Sequence, residues 1–169
     1  MSIKWVQFPL HPETPQEGLS LEELFAGRDL DIPDIQGHLR ELMRLEGLPY
    51  GNRTHTYNSR LAQELSKWGE RFPESSLLNQ KIFEAYFVDG QILANQNLLV
   101  KLAGEAGLST QEATEVLENR VFKEAVYIDW MRSRQIGISR VPTFVMGKYG
   151  ISGAQSHEML ERFVVENTL

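Results

Sequence analysis

Along most of the chain apolar residues recur at spacings of three and four, and alternation at a spacing of two is confined to the regions near either end. The first such region, Ile3-Lys4-Trp5-Val6-Gln7-Phe8-Pro9-Leu10, combines β-favouring residues with stops at Pro9 and Pro12. It predicts one short strand, followed by a loop over residues 12–18. Residues 20–25 suggest a helical turn and residues 28–34 irregular chain. Asp34 is positioned to cap a helix over 35–45 whose apolar face is Ile35, Leu39, Leu42 and Met43, with Gly47 ending it. Residues 48–57 are rich in Gly, Pro, Asn and Thr and predict a loop.

A run of helices follows. Asn58 can cap a segment with Leu61, Ala62, Leu65 and Trp68 on one side, and Ser76 precedes another with Leu78, Ile82, Ala85 and Tyr86 inward. Asn95 opens a third, over Leu98, Leu99, Leu102, Ala103 and Ala106, with Gly107 at its end. Ser109 and Glu112 form a capping-box pattern, and a further helix spans 122–135. After Gly137 the period changes to two. Residues 141–146 read as a strand, Gly147-Lys148 as a tight turn and residues 149–153 as a second strand. Ser156 then caps a last helix with Met159, Leu160, Phe163 and Val164 inward.

Composition narrows the function classes. A length of 169 residues suits one compact domain, or a small domain carrying a large insertion. The net charge of −6 argues against nucleic-acid and anionic-membrane partners, and no apolar run approaches a bilayer span. The opening residues lack the charged and apolar regions of a leader, so the expected location is cytoplasmic. There is no cysteine in the chain, which removes disulfides, thiolate metal sites and a cysteine nucleophile of its own.

Few other residues assemble into recognisable chemistry. His11, His38, His55 and His157 have no metal-ligand spacing, so neither a metal nor a cofactor is expected. His38 and His157 read as surface residues. The acidic positions, Glu64 among them, read as solvated helix faces, and no two form an evident acid/base pair. Gly150-Ile151-Ser152-Gly153 lacks the spacing of a nucleophile elbow. Arg40, Arg44, Arg53 and Arg60 are either cleft residues for an anionic group, such as a glutathione carboxylate, or ordinary exposed arginines. Trp5, Trp68, Trp130, Phe83, Tyr86, Phe87 and Tyr127 read as packing residues.

Four segments carry a resemblance. They are residues 137–147 continuing through Tyr149–Gln155, residues 5–12, the Asn-Ser-x-x-Ala pattern of Asn58 to Ala62, and Ala85-Tyr86-Phe87-Val88-Asp89-Gly90. Together, and in this order, they resemble the DsbA family of thioredoxin-fold oxidoreductases. The likeness is strongest to its FrnE-like branch, which is related to 2-hydroxychromene-2-carboxylate isomerases and kappa-class glutathione transferases. The resemblance implies an α/β thioredoxin-like fold with a large all-helical insertion. Residues 1–34 and 137–169 would form the thioredoxin-like part and residues 35–136 the insertion.

In that family a first strand leads into a Cys-x-x-Cys motif at a helix N-terminus. The segment matched by residues 5–12 comes after it, so the resemblance implies that this N-terminal strand–helix unit is missing here. Val141-Pro142 matches the family's cis-proline position. The implied substrate-binding residues are Val141, Pro142 and Thr143, joined by His11 and Asn58, with no catalytic residue. The expected ligand is a peptide or small thiol compound. A glutathione-dependent isomerase or transferase-like protein, and a non-catalytic binding module, are the alternatives. A sheet without its middle strand would expose unpaired edges, so a homo-oligomer is also expected.

Overall fold

The computed structural model describes residues 3–168. The chain divides into two compact units, one of residues 11–126 and one combining the N-terminal ten residues with residues 127–169.

The larger unit is helical. It opens with β1 (Leu19–Ser20), which pairs antiparallel with β2 (His55–Thr56), the only regular structure within the predicted 48–57 loop. Helix α1 (Leu21–Leu24) is short but fully capped. The Ser20 hydroxyl accepts from the Glu23 N–H, and the Glu23 carboxylate accepts from the Ser20 N–H. Helix α2 (Ile32–Leu45) starts three residues before its predicted position, because Asp31 and not Asp34 is the cap. Pro33 lies in the first turn, where its missing N–H would have had no helical partner. The predicted inward face of α2 is half exposed instead: Ile35, Leu39 and Leu42 retain 36–38% of their surface. The helix buries Gln36, whose side-chain carbonyl accepts from the Tyr50 hydroxyl at 2.9 Å.

Helices α3 (Arg60–Gly69), α4 (Ser75–Phe87), α5 (Gln96–Glu105) and α6 (Thr110–Glu118) enclose one apolar core. Leu65, Trp68, Leu78, Leu99 and Leu117 are essentially inaccessible there. Gly69 allows α3 and α4 to approach closely, since a Cβ on it would meet Leu78 at 2.6 Å. Asn95 and Ser109 cap α5 and α6 as their sequences require, accepting from the N–H groups of Leu98 and Glu112. By contrast, Glu74 precedes α4 and its side chain forms no cap.

Glu64 departs from its reading as a solvated residue. It lies on α3 with no exposed surface. Arg60, one turn earlier, donates Nε–H to Oε1 at 2.8 Å, and Arg120 forms a fork with bonds of 2.8 and 2.7 Å to the two oxygens. Arg120 follows α6 at φ 52°, a conformation that turns the chain abruptly after the helix. Arg60 also donates to the Lys123 carbonyl at the start of α7 (Lys123–Gln135). One buried carboxylate therefore ties α3 to the α6–α7 connection.

In the smaller unit, the predicted hairpin is present as β3 (Thr143–Met146) and β4 (Tyr149–Ser152), in the register Thr143–Ser152 to Met146–Tyr149. Gly147 occupies the first turn position at φ 60°. Helix α8 (His157–Asn167) is capped by Ser156, but none of its residues is buried, and Met159 is 44% exposed although read as inward. The predicted strand at residues 3–10 does not form. A strand needs a neighbouring strand to pair with, and among the described residues the two pairs of strands are β1–β2 and β3–β4. The Gln7 N–H bonds instead to the Asp129 carboxylate at 3.0 Å. Trp5 and Tyr127, read as packing residues, are about half exposed, as is Phe83 in the larger unit.

Candidate functional site

The peptide bond between Val141 and Pro142 is cis. Two chain features fix the local geometry. The Gly153 N–H donates to the Pro142 carbonyl at 2.8 Å, extending the hairpin by one bond beyond its last strand pair. The Thr143 hydroxyl donates to the Arg140 carbonyl at 2.7 Å and lies 3.0 Å from the Ser152 hydroxyl, fastening the start of β3 from within.

Bonding in an antiparallel pair alternates between strands. With Met146–Tyr149 closing a two-residue turn and Pro142 bonded to Gly153, Phe144 directs its main-chain groups at β4. Thr143 and Val145 therefore direct theirs at the opposite edge, which has no strand beside it among the described residues. The main chain of Val141 also has no hydrogen-bond partner among them. Val141, Phe144 and Val145 are each 40–48% exposed. The result is an open strand edge with polar main-chain groups and apolar side chains. Chemically, it can accept an extended segment by strand pairing.

His11 and Asn58 lie in the other unit. Both polar atoms of the Asn58 side-chain amide are occupied: Nδ2 donates to the Thr14 carbonyl at 2.7 Å, and Oδ1 accepts from the Arg60 N–H at 3.0 Å. Asn58 thereby joins the loop around Thr14 to the first turn of α3, although Ser59 occupies the cap position itself. His11 is half-buried. Burial, reinforced by the positive charges of Arg28 and Arg53, holds its ring below the ordinary histidine value of 6.5. Its folded form binds protons less readily than its unfolded form, so stability falls as pH drops below that value. Replacing His11 with Gln should flatten the stability profile between about pH 7 and pH 5 relative to wild type; chemical denaturation at a series of pH values measures it.

Of the four arginines singled out in the sequence, Arg44 is paired with Glu41 and Arg60 with Glu64. Arg53 has no carboxylate partner among the described residues. It lies over the Tyr86 and Phe87 rings, with its carbon 5.4 and 5.7 Å from their centres. His55, on β2, stacks on Tyr57 with ring centres 6.0 Å apart. Among the described residues no group of three or more His, Asp or Glu is arranged to hold a metal ion, and no helix is long and apolar enough to cross a membrane.

Comparison with known proteins places these features in a family. The chain matches the DSBA-like thioredoxin domain over residues 1–165. It is 24% identical over 142 residues to the Bacillus subtilis protein YwbO, covering 82% of this chain and 60% of that protein. The chain thus spans about three fifths of the length of this curated relative. Its fold is similar to the crystal structure of a probable DsbA oxidoreductase, SCO1869, from Streptomyces coelicolor, with a TM-score of 0.84 and 24% identity over 94% of this chain and 71% of that one. A structure from Nitrosomonas europaea aligns with a TM-score of 0.67 and 18% identity, over 90% of this chain and 78% of that one. The fold is a mixed α/β DsbA-like thioredoxin fold dominated by helices, and the chain belongs to the family of DSBA-like thioredoxin domains.

Proposed function

We propose that this chain is a FrnE-like member of the DsbA family that binds an extended peptide or a small thiol compound along Val141, Pro142 and Thr143. In this reading it does not itself carry out thiol–disulfide exchange. Exchange begins when a thiolate attacks a disulfide sulfur, and a chain with no cysteine has no thiolate to offer. What supports binding is the outer edge of β3, where Thr143 and Val145 present unpaired main-chain groups between exposed apolar side chains. A peptide laid there gains hydrogen bonds from the edge and apolar contact from Val141, Phe144 and Val145.

The test has two parts. Insulin reduction by the isolated chain should show no turnover above buffer. An unstructured peptide should shift the main-chain amide resonances of Thr143 and Val145 ahead of those of β4. Turnover, or shifts confined to residues outside 141–146, would defeat the reading.

The same edge supports self-association. Every apolar residue of the smaller unit that is described retains some exposed surface, and its buried residues are the polar Asp129 and Ser133. We expect light scattering at high micromolar concentration to give a mass above the 19.4 kDa of one chain; a mass equal to one chain removes the expectation.

A further inference from the structure

Charge is unevenly laid out around the β3–β4 hairpin. Although the chain as a whole carries −6, residues 130–157 contain Arg132, Arg134, Arg140 and Lys148 and no Asp or Glu. All four of these basic residues are exposed, and none is paired with a carboxylate among the described residues. By contrast Arg60, Arg120 and Arg162, on other parts of the chain, each have an acidic partner.

Two of the unpaired cations flank the open edge of β3. Arg140 stands two residues before Pro142, and its carbonyl accepts from the Thr143 hydroxyl at 2.7 Å, so its main chain is held at the entry to the strand. Lys148 occupies the turn after Met146, with its ammonium 5.3 Å from the centre of the Tyr149 ring. A cation–π contact at an exposed site is weak and leaves the ammonium available to a carboxylate. Between the two cations the edge presents the main-chain groups of Thr143 and Val145 and the exposed side chains of Val141, Phe144 and Val145. Along the strand the order is therefore cation, apolar stretch, cation.

A partner that pairs with this edge must offer N–H and C=O groups at strand spacing, which a polypeptide does and a lipid headgroup or a nucleic-acid phosphate chain does not. It must also cover apolar side chains and meet a positive charge at each end. We propose that the β3 edge takes an extended peptide whose apolar middle is flanked on both sides by Asp or Glu. This assignment rests on the strand-edge reading above and adds to it the class of peptide. Because both ends of the edge are cationic, the preference holds whichever way the peptide runs. The overall negative charge of the chain disfavours the same peptide on the rest of the surface, so the basic stretch gives selectivity as well as attraction.

The experiment uses three short unstructured peptides that share a middle of alternating Val and Thr and end on both sides in paired Glu, paired Gln or paired Lys. Binding to the full chain is followed through the main-chain amide resonances of Thr143 and Val145 at low ionic strength. The Glu-ended peptide should bind roughly fivefold tighter than the Gln-ended one, as two exposed ion pairs would give, and the Lys-ended peptide weakest of all. The advantage should shrink toward equality at about 0.5 M sodium chloride. Arg140→Gln combined with Lys148→Gln should bring the Glu-ended and Gln-ended peptides to within about twofold of each other. Neither side chain has a hydrogen-bond partner among the described residues, so the double variant keeps the hairpin. Equal affinity for all three peptides at Thr143 and Val145, or an undiminished preference for Glu in the double variant, would overturn the charge assignment and leave the strand-edge reading standing. Resonances moved by phosphatidylserine vesicles, or by nothing, and by none of the peptides would remove both.

Discussion

Glu64→Ala should destabilise the protein by about 3–5 kcal/mol, because it leaves Arg60 and Arg120 facing a buried site with no counter-charge. At a few degrees per kcal/mol for a chain of this size, the melting temperature should fall by roughly 10 °C. The carboxylate has no exposed surface and receives three charge-assisted bonds of 2.7–2.8 Å. Burial pushes its pKa up, but the bonds from Arg120 and Arg60 outweigh burial and hold it below the ordinary carboxylate range. The sign of the pH dependence follows. A carboxylate with a lowered folded pKa stabilises the fold fully above its unfolded value, about 4.3, and loses that contribution as pH falls through the folded value. Glu64→Gln should therefore lose its difference from wild type as the pH drops from about 5 toward 3. Arg120→Ala should be costly alone, yet combined with Glu64→Ala it should cost less than the sum of the two changes. Urea denaturation of the four proteins completes the cycle; strict additivity would mean that the pair does not interact.

Trp68→Ala should cost about 3–5 kcal/mol, from lost transfer energy together with the cavity left behind. Trp68 is 1% exposed and meets Phe72 edge to face, with ring centres 5.0 Å apart. Gly69 beside it already sets α3 closely against Leu78, so the helices have little freedom to collapse into the space. Trp5→Ala supplies the control. Trp5 is 52% exposed, and its removal should change stability by no more than about 0.5 kcal/mol. Equal losses for the two tryptophans would show that Trp68 is not at the centre of the core.

Features set by neighbouring residues were legible in the sequence. Asn95, Ser109 and Ser156 cap their helices because the bond each accepts comes from an N–H three residues on. The hairpin register was equally local, fixed by Gly147-Lys148. The cap of α2 was misplaced: Asp34 was read as the cap, whereas Asp31 holds that position and Asp34 supplies the N–H that it accepts from. Features that depend on distant partners were not legible. Residues 3–10 have strand composition, but a strand exists only beside another strand. Glu64 looks solvated in a list of helix residues until Arg120, 56 positions later, closes on it. The apolar faces of α2 and α8 are real, yet amphipathicity states only that a face seeks cover, not that it finds any.

In the candidate site, the Val141–Thr143 segment was reached through resemblance and the edge geometry only through the structure. Asn58 was marked as a binding residue, and its amide is occupied in joining the Thr14 loop to α3. Arg53 could not be separated from Arg44 and Arg60 in the sequence, because what distinguishes it is that no carboxylate pairs with it among the described residues.

The uneven distribution of buried apolar groups governs what bulk unfolding experiments report. The heat capacity change and the denaturant slope both scale with the surface newly exposed to water. Most of the fully buried apolar residues lie in the helices between Ala62 and Leu117. A calorimetric or urea transition of this chain is therefore weighted toward the helical core, and the β3–β4 hairpin, which has no fully buried residue, contributes less to its signal.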